Sequence, residues 1–225
     1  MLILALDAST PTVAVAVARA EGDAAREVLA EISVSSRGAS ETLLAAVDAA
    51  LDLAGEDLAS VERVLAGVGP GTFTGIRIAA ATARSLALAT GALLSKNSTL
   101  AALAAPALSG GHRDVLAVLD AKRGQVFAQR FSDAGPATGI LCERPEVLSA
   151  AGAPLLVGDG AVRYGDALSR LGEIPPDGSP LHRVTAAGHV LSADLAPVDH
   201  EEVVPIYVRE PDAEVRRDLN PWSRP

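Results

Sequence analysis

Four glycines fall within nine residues, in the string Gly67-Val68-Gly69-Pro70-Gly71-Thr72-Phe73-Thr74-Gly75. An apolar run at 62–68 precedes them, and a long alanine-rich segment follows to about Thr90, stopped by Gly91. Glycine at this density marks backbone that turns sharply or lies close against its neighbours, so the segment reads as a strand, a tight turn and a long helix. Two uses of such a turn stand side by side. Converging N–H groups at a helix N-terminus can hold an anion, or glycine is simply the residue that fits. The string is no Walker loop, because no Gly-Lys-Ser/Thr closes it, and Gly-x-Gly-x-Gly-x-x-x-Gly is not the dinucleotide fingerprint.

Around this turn the pattern is that of an α/β protein. Apolar runs at 2–8 and 12–20 flank Asp7-Ala8-Ser9-Thr10-Pro11, a hairpin whose tip presents a carboxylate and two hydroxyls. A third strand fits 27–34. Ser40 is placed as the N-cap of a helix ending at Gly55, with Leu43, Val47, Ala50, Leu51 and Ala54 on one face. Residues 41–62 carry six acids and no base, which reads as a solvated face. A strand at 93–95 and a helix over 99–105, closed by Pro106, complete the order β-β-β-α-β-α-β-α. That is the order of one half of an actin/hexokinase-like fold, assigned to 1–108.

The second half, 109–209, begins at a joint over 109–114. A hairpin spans 115–120 and 125–132, turning at Asp120-Ala-Lys-Arg-Gly124. A strand at 155–157 leads through Gly158-Asp-Gly160 into a helix to about Leu171, a proline-rich loop, a helix near 186–195 and a strand near 203–208. Residues 210–225 read as an exposed polar tail.

Composition narrows the function. The net charge is −9 and neither half is basic, so phosphate-backbone affinity of the isolated chain is weak. Aromatic residues make up 3%, too few for a base-stacking platform. The apolar N-terminus lacks a basic flank and meets Asp7 early, so neither a signal peptide nor a span is read there and a cytoplasmic location is expected. A single cysteine, Cys142, excludes a disulfide framework and a thiolate zinc cluster, and is read as a buried, inert thiol. His112, His182, His189 and His200 include no pair four apart, so no metal-binding His pair lies on one helical face. No Gly-x-Ser-x-Gly elbow occurs. Asp7 and Asp120 remain as carboxylates at strand ends. With Ser9 and Thr10 they suggest a vestigial nucleotide site, or else they tie their own turns through backbone N–H groups.

As a whole string, Gly67 to Arg77 resembles the signature of the TsaB (YeaZ) family, the dimerisation subunit of bacterial threonylcarbamoyladenosine tRNA modification. Leu4-Ala-Leu-Asp-Ala-Ser-Thr10, Lys96-Asn-Ser-Thr-Leu100, Asp120-Ala-Lys-Arg-Gly-Gln-Val-Phe127 and Tyr207-Val-Arg209 resemble further segments of that family. One departure is Ala39, where the family often carries His before Ser-Glu.

The resemblance implies two actin-like subdomains and a non-catalytic subunit without a cofactor of its own, any adenine-nucleotide binding being weak or partner-dependent. It implies binding to TsaD, the transferase subunit, with TsaE reached through TsaD, and a homodimer when the chain is alone. Tight tRNA binding by the isolated chain and membrane association are not expected. The alternatives are a small ATP-dependent kinase using Asp7, Ser9, Thr10 and Asp120, and a metallopeptidase, which the histidine spacing opposes. The helix over 75–90 is the expected interface. Arg77 and Arg84 lie seven apart on one face, and Ala80, Ala81 and Leu88 are placed beside them, small side chains that permit close helix approach.

Overall fold

The computed structural model describes residues 1–21, 25–35 and 38–209; the tail assigned to 210–225 lies outside them. The first sheet is built from β1 (Leu2–Asp7), β2 (Thr12–Glu21) and β3 (Ala25–Ser35), joined by α1 (Ala39–Ala54) to β4 (Arg63–Gly67), then by α2 (Phe73–Thr90) to β5 (Leu93–Asn97). Its order is β3-β2-β1-β4-β5. Strands β1 to β3 pair antiparallel, and β1–β4 and β4–β5 pair parallel. Every residue of β1 is buried, as a strand covered on both faces requires. Leu2, Leu4 and Leu6 face α1 and α2, meeting Leu43, Val47, Ala79 and Ala83. Ile3 and Ala5 face the other way, toward Ala186 and Val190 of a helix from the far end of the chain.

The second sheet has the order β10-β6-β7-β8, with β9 also pairing β7. It follows α3 (Thr99–Ser109) and comprises β6 (Asp114–Lys122), β7 (Gln125–Ser132), β8 (Gly135–Pro136), β9 (Leu141–Glu143) and β10 (Leu155–Val157). Helices α4 (Asp159–Arg163), α5 (Gly165–Leu168) and α6 (Ala186–Ser192) follow. The result is the expected α/β fold of actin/hexokinase type, two mixed sheets flanked by helices.

The two halves are interleaved. Helix α3 lays Leu100, Leu103 and Ala107 against Val115, Ala117 and Phe131 of the second sheet. Helix α6 returns to the first sheet. There Ala187 N–H donates to Glu31 Oε1 at 2.9 Å, and Arg26 donates to the carbonyls of Val190 and Ala193. An anion at the N-terminus and a cation at the C-terminus both favour this helix orientation on β3.

Four local expectations change. Ser40 lies within the first turn of α1; the N-cap is Gly38, which has no side-chain cap bond, because the helix starts two residues earlier. Gly55 does end α1 in the left-handed conformation, as Gly91 ends α2. Pro106 does not close α3, which runs to Ser109. A proline removes the bond to the carbonyl four residues back, here Ala102, and that carbonyl packs against the bare Cα of Gly188 in α6, where a Cβ would not fit. The helix expected to run to Leu171 breaks at Tyr164 into α4 and α5. In place of a strand at 203–208 there is a strap along the first sheet: Leu94 and Val198 form an isolated bridge, and Ile206 N–H donates to Val68 O at 2.8 Å. Pro197 and Pro205 supply no N–H to a ladder. Among the described residues no helix is long and apolar enough to cross a membrane.

Candidate functional site

The glycine turn packs directly on the tip of the β1–β2 hairpin. A Cβ on Gly67 would lie inside 3.0 Å of the Asp7 carboxylate, one on Gly71 inside 3.0 Å of the Ser9 carbonyl, and one on Gly75 inside 3.0 Å of the Ala8 carbonyl. Thr72 N–H donates to Ser9 O at 2.6 Å, and Thr99 N–H to Gly69 O at 2.8 Å. Gly69 precedes a cis Pro70. Three of the four glycines are therefore explained by close approach, and the Thr72 N–H is already engaged by protein.

Asp7 is 1% exposed and accepts four hydrogen bonds. Oδ1 takes Ser9 N–H at 2.5 Å and Ser9 Oγ–H at 2.6 Å; Oδ2 takes Thr99 Oγ1–H at 3.0 Å and His189 Nε2–H at 2.8 Å. Burial pushes the Asp7 carboxyl up, but the His189 bond and charge, with the Ser9 bonds, hold it below its ordinary value. Thr10 turns its hydroxyl to Thr12, donating to Thr12 O at 3.1 Å. Asp7, Ser9 and Thr10 are thus occupied within the hairpin, α3 and α6.

Asp120 is not brought into this network. Its Oδ1 accepts Lys122 N–H at 2.9 Å and Tyr164 Oη–H at 3.3 Å, and its Oδ2 takes Lys122 Nζ at 2.8 Å. Burial pushes its carboxyl up, yet the bonds and charge of Lys122, with Arg163 at 3.6 Å, hold it down. Lys122, Arg123 and Gly124 all adopt left-handed φ, so Asp120 ties a tight hairpin tip. Asp159 accepts the Asp120 N–H at 3.0 Å; burial and the Asp120 charge push its own carboxyl up.

His112 is exposed. His182 is buried and structural: Nδ1 accepts Gly158 N–H at 3.1 Å and Nε2 lies 3.0 Å from Pro175 O. Cys142 is half-buried rather than buried, since among the described residues β9 pairs with β7 alone, and burial pushes its thiol up. Among the described residues no group of three His, Cys, Asp or Glu side chains is arranged to hold a metal ion.

The long helix α2 has two faces. Ile76, Ala79, Ala80, Ala83 and Ala87 are core residues. Ala80, expected at the interface, is 4% exposed, because helical periodicity puts it with residues 76, 83 and 87. Arg77, Ala81, Arg84 and Leu88 form the exposed stripe, Leu88 at 79%. At its head Phe73 and Tyr207 are both exposed, with ring centroids 5.5 Å apart. The Arg77 guanidinium carbon sits 3.7 Å over the Phe73 ring, and its Nε donates to Tyr207 Oη at 2.6 Å. Tyr207-Val-Arg209 thus links two of the sequence motifs, since Arg209 Nη1 donates to Ala121 O at the β6–β7 tip.

His189 is the residue that sequence reasoning left without a role. Its partner lies 182 positions away, and Ala-Ala-Gly-His-Val-Leu carries no local motif.

The chain matches the family described as TsaD, tRNA N6-adenosine threonylcarbamoyltransferase, over residues 27–142. It is 33% identical to an uncharacterised protein of Mycobacterium tuberculosis over 215 residues, covering 94% of this chain and 93% of that one. The tRNA threonylcarbamoyladenosine biosynthesis protein TsaB of Bacillus subtilis is 35% identical over 133 residues, 56% of this chain and 53% of that protein. YeaZ from Pseudomonas aeruginosa superposes with a TM-score of 0.75 at 27% identity, covering 92% of this chain and 99% of that one.

Proposed function

The chain belongs to the TsaB (YeaZ) family, and on that footing we propose that it is a non-catalytic subunit of the cytoplasmic machinery that makes threonylcarbamoyladenosine in tRNA. Its task is to bind TsaD through the exposed stripe of α2 and so support transfer of the threonylcarbamoyl group. TsaE joins through TsaD, and the same stripe pairs two copies of this chain when TsaD is absent. The carrying observation is that stripe. Leu88 is 79% exposed on an otherwise small-sided helix, with Arg77 and Arg84 flanking Ala81. Small residues permit close helix approach, the guanidiniums suit carboxylates at the rim, and an exposed leucine beside them supplies an apolar anchor. The kinase reading loses support because Asp7, the carboxylate it needs, accepts four bonds from within the chain.

The test is Arg84→Glu and Leu88→Glu, each followed by sizing and by capture of TsaD. Both residues are exposed, so the variants fold. The reading expects loss of self-association and at least a tenfold weaker TsaD complex, since an unpaired charge buried at an interface costs about 3 kcal/mol or more. Wild-type association by both variants would place the interface elsewhere.

A further inference from the structure

We propose that His189 is a positioning residue for the docking helix α2: through Asp7 it fixes the glycine turn from which α2 starts. This rests on the reading of α2 as the docking surface.

The physical chain is continuous. His189 is 0% exposed and its Nε2 is 2.8 Å from Asp7 Oδ2. An ionised carboxylate only accepts, so Nε2 carries the proton shared with Asp7; Nδ1 is buried without a partner among the described residues. Asp7 touches the turn directly, because its carboxylate fills the space a Gly67 side chain would need. It also organises Ser9 and Thr99, whose hydroxyls lie 2.9 Å apart. These two residues grip the turn from opposite sides, Ser9 O through Thr72 N–H and Thr99 N–H through Gly69 O. Thr72 is the N-cap of α2. Behind His189, α6 is held at its ends by Glu31 and Arg26 and in its middle by the contact of Gly188 with Ala102 O. Asn97 Nδ2 adds a bond to Ser192 Oγ at 2.7 Å. The imidazole is therefore a fixed donor delivered from the second half of the chain to the base of the first half's exposed helix. Removing the donor leaves the buried Asp7 carboxylate short of a partner, and relief comes by the carboxylate shifting against Gly67.

The experiment compares His189→Leu, which removes the donor, with His189→Gln, whose amide can reach Asp7. Leu156→Ala, a fully buried site in the second sheet, controls for lost global stability. Amide exchange is read at Thr72 and Thr99, and TsaD affinity is read on the same proteins. In His189→Leu, exchange at both amides is expected to accelerate about tenfold beyond the control, with Gln within about threefold of wild type. TsaD affinity should fall about tenfold in the Leu variant and recover with Gln. If the Leu variant does not fold, His189→Asn, too short to reach Asp7, must show the same acceleration. The inference is overturned if exchange in the donor-less variant matches the control, or if Gln restores nothing. The two readings fail separately. Should the docking reading be wrong, Arg84→Glu binds TsaD normally while the exchange difference persists. Should the present one be wrong, Arg84→Glu loses TsaD while exchange is unmoved.

Discussion

Replacing Gly75 by alanine sets two effects of opposite sign against each other. On an open helix alanine is preferred to glycine by about 1 kcal/mol. At Gly75 the new Cβ would lie inside 3.0 Å of the Ala8 carbonyl oxygen and of the Thr72 hydroxyl. The first obstacle is backbone that cannot rotate away. Ala8 is 1% exposed and lies between Asp7, held by four donors, and Ser9, whose carbonyl accepts Thr72 N–H. Helix α2 must therefore lift from the hairpin. Overpacking costs about 1–3 kcal/mol, and an obstacle made of backbone puts this site at the top of that range. Less the propensity gain, the net loss is about 2 kcal/mol. For a chain of 225 residues that lowers Tm by roughly 4–8 °C. Gly139→Ala is the control: nothing lies within 4 Å of its Cβ position, so its effect should stay within about 0.5 kcal/mol. Calorimetry and urea unfolding of both variants measure the difference. A Gly75→Ala protein as stable as wild type would refute the close-approach account of the turn.

Asp7 has a carboxyl held below its ordinary value in the fold, so the stability it contributes is complete above about pH 4 and drains as pH falls through the lower folded-state value. Asp7→Asn should lower the urea midpoint at neutral pH and converge on wild type in acid; a gap independent of pH between 6 and 2 would contradict this. Asp159 is pushed the other way, by burial and the Asp120 charge. Its ionisation therefore opposes folding as pH rises, and Asp159→Asn, which retains an acceptor for Asp120 N–H, should be stabilising at pH 7. Thermal melts at pH 7 check it, a lower Tm being the adverse result. Calorimetric titration of the isolated chain with ATP and magnesium should give no binding tighter than about 1 mM, because Asp7, Ser9 and Thr10 are engaged internally.

The elements that the sequence shows most clearly are those set by neighbours in the chain. Alternating small apolar residues around Asp7 to Pro11 define the hairpin, and Gly55 and Gly91 stop their helices because each adopts a left-handed φ. What it hides depends on distant contacts. Pro106 reads as a stop until Gly188 arrives to receive the Ala102 carbonyl. Strand 203–208 dissolves into a strap because Ile206 N–H reaches Val68 O while Val204 N–H turns back to Glu202 O, so no ladder forms. Ala80 looks like any other alanine of α2 until the helix is rotated against Leu4 and Val64, which puts it in the core. The candidate carboxylates were visible as residue types, but whether they face solvent or one another was not. Asp7 is closed by His189 from 182 positions away, a distance over which no spacing rule operates.

The most direct test of the central claim is reconstitution of threonylcarbamoyl transfer to tRNA with purified TsaD and TsaE, with and without this chain. The account predicts no transfer by this chain alone, a large stimulation when wild-type protein is added to TsaD and TsaE, and little stimulation by Arg84→Glu. Transfer catalysed by the chain without TsaD, or equal stimulation by wild type and Arg84→Glu, would contradict it.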